Sequence, residues 1–207
     1  ELTAAVGQEV AVAVESDRTC YILGEVWQGN ARGALNAVFV AVGTGIGAGI
    51  LVDGRVLRGH ADIAGAIGWL ALDRPYEEKY QDCGNFEYYA AGPGIARAAH
   101  MTTEQVFATR KSDPQARVVI DKAVAYCGMA VANLVSLLNP EVIVFGGGVF
   151  GPGVELLDDI YREARLWAQP ISIRQVRLVA SALGSDAGLY GAARVAFDRL
   201  TDLRLSL

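Results

Sequence analysis

Apolar positions along the chain change period several times. Val10, Val12 and Val14 alternate with small residues and run into Glu15-Ser16-Asp17, which predicts a buried strand ending in polar residues that can cap a helix over about residues 19–28. Three apolar or β-branched runs follow at residues 37–42, 46–52 and 55–57. Asp53-Gly54 separates the last two and is a strong two-residue hairpin signal, so the pattern is an antiparallel meander with a glycine-rich first turn. Residues 73–86 are polar and punctuated, which predicts an excursion loop before helices beginning near Phe86 and over 102–109. Ser112-Asp113-Pro114 opens a long helix with apolar residues at Val119, Ala123, Tyr126, Ala130, Leu134 and Leu138, and Asn139-Pro140 stops it. Residues 141–145 read as a short buried strand followed by Gly146-Gly147-Gly148 and a helix over about 154–168. A last strand near 176–179 leads through Gly184-Ser185-Asp186 into a helix ending around Phe197. Strands alternating with helices, plus a meander, define an α/β fold with one mixed sheet.

Composition narrows the class. Of 207 residues, 52% are hydrophobic and 20% charged, enough apolar side chain for a real core and too little charge for a disordered chain. The net charge of −5, with no cluster of Lys and Arg, argues against nucleic acid as a partner of this segment. Cys20, Cys83 and Cys127 are too few and too widely spaced for a disulfide framework or a paired-Cys zinc site, which fits a reducing cytoplasm. The uncharged stretch 33–52 has glycine at 43, 45, 47 and 49, a period of two that suits strand and turn and argues against a membrane span. Glu1-Leu2-Thr3 has no initiator Met, basic n-region or apolar h-region, so it reads as no signal peptide and not necessarily a native start.

Three places carry candidate chemistry. Gly43-Thr44-Gly45-Ile46-Gly47-Ala48-Gly49 lies between two strands, where missing side chains let backbone N–H groups approach an anion and Thr44 adds a hydroxyl. Phosphate cradle and tight turn against a packed neighbour are both open on spacing alone. Gly146, Gly147 and Gly148 follow a buried strand, where α/β sheets bind ligands; the turn equally serves close helix–strand packing. Asp17 stands at a strand-to-helix junction, as a base toward an alcohol attacking a phosphoryl group or as an ordinary N-cap. His60 and His100 have no metal-ligand spacing and read as loop or helix-surface residues.

Together these pieces resemble the ROK family (repressor, open reading frame, kinase) of the actin-like ATPase superfamily over nearly the whole chain. Ser16-Asp17 with Leu23-Gly24-Glu25 is similar to the family's Asn-Asp and Leu-Gly-Glu segments. The stretch from Val42 to Ile50, with Asp53-Gly54-Arg55, resembles the phosphate-binding meander. The Asn139-Pro140-Glu141 to Val149 segment resembles the adenosine-side motif, and Gly191-Ala192-Ala193 the closing helix. The resemblance implies an actin-like (RNase H-like) lobe with Asp17 as catalytic base. It implies Gly43, Thr44, Gly45 and Gly47 as phosphate-binding, Gly146, Gly147 and Gly148 as nucleotide-binding, and Ser16 and Glu87 as substrate-binding. ATP with Mg2+ and a sugar or sugar-like alcohol would be the substrates.

Departures qualify that picture. The family's Ala-Gly-Glu-Ile-Gly-His is here Ala64-Gly65-Ala66-Ile67-Gly68-Trp69, which removes a sugar-binding Glu and a His that holds sugar and zinc. The cysteine-rich zinc segment is reduced to Cys83, and one thiolate cannot hold a tetrahedral zinc. The expectation is therefore no zinc and a reshaped sugar pocket. No Asp-x-Gly-Gly-Thr phosphate loop occurs, so residues 1–207 read as a C-terminal lobe that works with its own N-terminal lobe, as a homodimer in the cytoplasm. Kinase lobe, ligand-sensing lobe of a repressor, and structural pseudokinase lobe are the functions this leaves.

Overall fold

The computed structural model describes residues 12–205, with side chains through residue 199. The helix α1, Asp17–Gln28, starts at the N-cap Ser16, whose hydroxyl accepts the Thr19 N–H; such a cap contributes about 1 kcal/mol. The alternating valines ahead of it form no strand where they are described: residues 12–16 are irregular, and Val14 is 81% exposed. Val10 lies outside the described residues. A strand needs a hydrogen-bonded neighbour, and none of the five described strands runs beside this segment.

Strands β1 (Ala37–Val42), β2 (Ile46–Val52) and β3 (Arg55–Val56) form the expected antiparallel meander. Asp53 and Gly54 both have positive φ, 49° and 74°, the conformation a two-residue hairpin of this hand requires. After the excursion come α2 (Asn85–Ala90), α3 (Gly92–Ala99) and α4 (Thr103–Thr109). The long α5 (Pro114–Leu138) is capped by Asp113, which accepts N–H groups from Gln115 and Ala116. Strand β4 (Val142–Gly146) leads into 3₁₀ turns at 148–150 and 152–156 and then α6 (Leu157–Trp167), so the helix expected from 154 begins three residues later. A short α7 (Ser172–Gln175), strand β5 (Arg177–Ala180) and α8 (Ala187–Leu205) complete the order.

The sheet runs β3-β2-β1-β4-β5, with β1, β4 and β5 parallel and the meander antiparallel. Alternation along the strands sends Val38, Val40, Val42, Ile143 and Phe145 to one face, packed with α2 to α6, and Phe39, Leu51, Val142 and Val144 to the other, packed with Ile22 of α1 and Ala187 of α8. Each large side chain so buried contributes roughly 1.5–3 kcal/mol. On the second face α1 and α8 touch backbone to backbone: a Cβ at Gly24 would fall 2.3 Å from the Ala187 carbonyl oxygen, and one at Gly191 1.8 Å from that of Cys20. Long and apolar enough to cross a membrane, α5 nonetheless has 61% of that window buried in the fold. The stretch 33–52 forms two strands of the sheet.

Candidate active-site cleft

Because β1, β4 and β5 are parallel, their carboxyl ends share one edge. There the chain opens a cleft of about 810 Å³, lined by Asp17, Gly43, Thr44, Gly45, Gly47, Glu87, Gly146, Gly147 and Gly148 among others. Residues far apart in sequence thus face one space, at the edge where open α/β sheets bind ligands. The two glycine turns approach each other: a methyl group at Gly43 would sit 3.8 Å from the Gly148 nitrogen, and one at Gly148 would meet nothing within 4 Å.

The glycines divide by role. At Gly49 a Cβ would strike the Arg18 carbonyl oxygen at 2.0 Å, so its missing side chain lets α1 lie on the sheet. Gly147, at φ 91°, would place a Cβ 2.4 Å from the Val42 oxygen; it is fixed by backbone conformation as much as by any ligand. Gly43 and Gly148 have room around them, which is what an approaching anion needs. The packing reading therefore holds at Gly49 and Gly147, while Gly43 and Gly148 are left open toward the cleft.

Asp17 is the first residue of α1, exposed, with Oδ1 accepting the Arg18 N–H at 2.7 Å. Ser16, not Asp17, is the N-cap. Ser16 does not line the cleft, but its hydroxyl accepts from Thr19 and keeps a proton to donate. Just ahead, Glu15 pairs with both terminal nitrogens of Arg58, at 2.9 and 2.5 Å, and ties the approach to α1 to the chain after β3. The Arg58 hydrogen bond holds the Glu15 carboxyl below its ordinary range, against the opposing effect of burial. Glu87 Oε2 accepts the Ile46 N–H at 2.6 Å, so α2 clamps the first glycine turn.

The sequence reading passed over Arg18 and Tyr21, which line the cleft beside Asp17. Tyr21 follows Asp17 by four residues and so shares its helix face, a periodicity that would have found it. Burial, reinforced by the Asp17 carboxylate, pushes the Tyr21 phenol up, so it is a neutral hydroxyl at neutral pH. Phe39 and Phe145 also line the cleft, as do Ser181, Gly184 and Ser185 at the end of β5; the rule placing ligands at strand carboxyl ends would have pointed to that last wall. Glu25, fully buried, holds it: its carboxylate accepts from Ser181 Oγ at 2.5 Å and from the N–H groups of Leu183 and Asn30 at 3.1 and 2.8 Å. A second cavity, about 960 Å³, adjoins through Gly43, Thr44 and Gly148 and extends along α3 and α4 past His100 and Met101. His60 and His100 are both exposed.

The excursion is organised by aromatic side chains. Tyr80, buried, hydrogen-bonds Glu77 and Tyr89 through its hydroxyl, and the Lys79 ammonium lies 5.3 to 5.7 Å from the Tyr80, Tyr88 and Tyr89 rings. Among the described residues no three His, Cys, Asp or Glu side chains gather as metal ligands. Cys83 is the one cysteine of the excursion, its thiol donating to the Gly84 carbonyl oxygen at 3.8 Å, and one thiolate cannot hold a tetrahedral zinc. The residues present do not fit a zinc ion.

A mixed sheet flanked by helices, with glycine turns and a carboxylate at its parallel carboxyl edge, is the architecture of an actin-like ATPase lobe. The ROK family model matches residues 2–199, and the chain belongs to the ROK family. It is 34% identical over 207 aligned residues to a glucokinase of Halalkalibacterium halodurans, covering 88% of this chain and 62% of that protein. The fold superposes on a ROK hexokinase from Thermus thermophilus with a TM-score of 0.81 at 32% identity, covering 97% of this chain and 69% of that one. A ROK family transcriptional regulator, a homologue of the E. coli MLC protein, matches with a TM-score of 0.83 at 27% identity over 93% of this chain and 52% of that one. The relatives thus include sugar kinases and a regulator, and the chain spans under two thirds of the glucokinase's length.

Proposed function

We propose that this chain is the C-terminal lobe of an ATP-dependent ROK-type kinase acting on a sugar or sugar-like alcohol. One observation carries the reading: Asp17 and both glycine turns line a single cleft. ATP, with Mg2+, is the phosphoryl donor. Gly43, Thr44, Gly45 and Gly47 receive its phosphates through backbone N–H groups, and Gly146, Gly147 and Gly148 receive its nucleoside side, which continues into the adjoining cavity along α3 and α4. Asp17 takes the proton of the attacking hydroxyl as it bonds to the transferred phosphorus. Ser16 and the Glu87 carboxylate contact the acceptor, with Glu87 also holding the turn through Ile46. The N-terminal lobe closes the cleft and excludes water; a cytoplasmic homodimer is part of the same proposal.

The test is Asp17→Asn in the full-length protein. kcat should fall about 100-fold or more with the ATP dissociation constant changed only a few fold. Equal loss of ATP binding would mean that the carboxylate serves structure, and unchanged kcat would remove it from catalysis. A second reading, the ligand-sensing lobe of a regulator, draws support from Ala66 and Trp69, which stand where kinases of the family carry sugar-binding groups. It requires sugar binding with no ATP-dependent phosphorylation of any sugar.

A further inference from the structure

We propose that the donor site holds its nucleotide by the phosphates and by the face of the base and leaves the base edge unread, so that adenine and guanine nucleoside triphosphates serve alike. This rests on the kinase reading above. The cavity of about 960 Å³ that continues from Gly43, Thr44 and Gly148 has room for a nucleoside. Its position relative to the first glycine turn is fixed. The Gly92 N–H at the start of α3 donates to the Gly43 carbonyl oxygen at 2.9 Å, and a Cβ at Gly92 would stand 3.2 Å from that oxygen and 3.6 Å from Val149 Cγ2. Turn and cavity floor are therefore one packed unit.

What the cavity offers a base follows from how its polar groups are already engaged. Thr103 spends its hydroxyl proton on the Gly92 oxygen at 2.9 Å. Thr102 and Gln105 close a capping box on each other: the Thr102 hydroxyl accepts the Gln105 N–H at 3.2 Å, and Gln105 Oε1 accepts the Thr102 N–H at 3.0 Å. The Glu104 carboxyl is held below its ordinary range by its own N–H and then by the Thr102 hydroxyl. Among the described lining residues, the side chains that keep a free donor or a charge are Thr44, His100, Glu104 and Gln105, and all four are exposed. Strong discrimination, about 10⁴-fold, comes from buried groups that the wrong base leaves unpaired. Exposed groups are re-paired by water and lose little. Pro93, Ala96, Met101 and Val149 supply apolar contact, which the faces of adenine and guanine satisfy equally.

Calorimetric titration of the full-length protein with AMP-PNP and with GMP-PNP, each with Mg2+, reads this without any acceptor. The two dissociation constants should agree within about 10-fold. Met101→Ala should weaken both alike, by about 3-fold or more, through lost apolar contact. Inorganic tripolyphosphate has no base and should bind wild type and Met101→Ala within about 2-fold, whereas a merely structural loss would weaken all three ligands. His100→Ala and Gln105→Ala should each leave the ratio of AMP-PNP to GMP-PNP affinities within about 3-fold of wild type. A wild-type preference above about 10-fold for either base, or a ratio that moves further than that in His100→Ala or Gln105→Ala, shows edge reading; it overturns the inference and leaves the kinase reading intact. Met101→Ala that leaves both nucleotides unchanged, or that weakens tripolyphosphate equally, removes the base from this cavity and overturns it as well. If neither nucleotide binds, the kinase reading fails and this inference fails with it.

Discussion

Replacing Glu25 by alanine removes the acceptor at the centre of the cleft wall formed by residues 181–185. Three donors lose their partner: Ser181 Oγ, the Leu183 N–H and the Asn30 N–H. Asn30 is exposed and recovers a hydrogen bond from water, while Ser181 and Leu183 are half-buried. Two under-satisfied donors at about 1–3 kcal/mol each, reduced by partial water access, give a loss of about 3 kcal/mol. At about 2–4 °C per kcal/mol for a chain of this size, the melting midpoint should fall about 6–12 °C. Ser181 also accepts the Gly184 N–H at 2.9 Å, so the same change should loosen the 181–185 segment. Differential scanning calorimetry on wild type, Glu25→Ala, Ser181→Ala and the double variant measures this. The two single losses should be non-additive by about 1 kcal/mol, because both delete the same contact. A midpoint within 2 °C of wild type, or strict additivity, would refute the view that this carboxylate holds the wall.

Gly147→Ala puts a Cβ at φ 91° and 2.4 Å from the Val42 oxygen; urea unfolding should show a loss of at least about 2 kcal/mol, and a smaller loss would mean that the turn relaxes freely. Burial pushes the Cys127 thiol up to about 12, so its thiolate fraction at pH 8 is about 10⁻⁴. Iodoacetamide at pH 8 should therefore modify the half-buried Cys83 well before Cys127, with mass-spectrometric mapping as the readout and early Cys127 labelling as the contrary result. Chelator-washed protein should contain no stoichiometric zinc by elemental analysis; one zinc per chain would overturn the reading of the excursion.

Features legible in the sequence depend on neighbours within a few residues. Asp53-Gly54 specified a two-residue hairpin because few other residues tolerate positive φ in succession, and Asp113-Pro114 and Asn139 bounded α5 through local capping and stopping. The uninterrupted apolar run at residues 37–42 marked β1 as a strand before any partner was known. Val12 and Val14 show the limit, since alternation marks a capacity for pairing that a strand realises only with a neighbour. Tertiary structure alone decided which members of the glycine set are packing positions, because that depends on the Arg18 carbonyl lying over Gly49. It likewise joined Glu87 to Ile46 across 41 residues and Glu25 to Ser181 across 156, and set Arg18 across Gly47 in the cleft. Such pairings follow from how the sheet orders its strands and where helices dock on its faces. No local periodicity encodes that geometry, since the free energy that fixes it comes from burying both faces of the sheet at once.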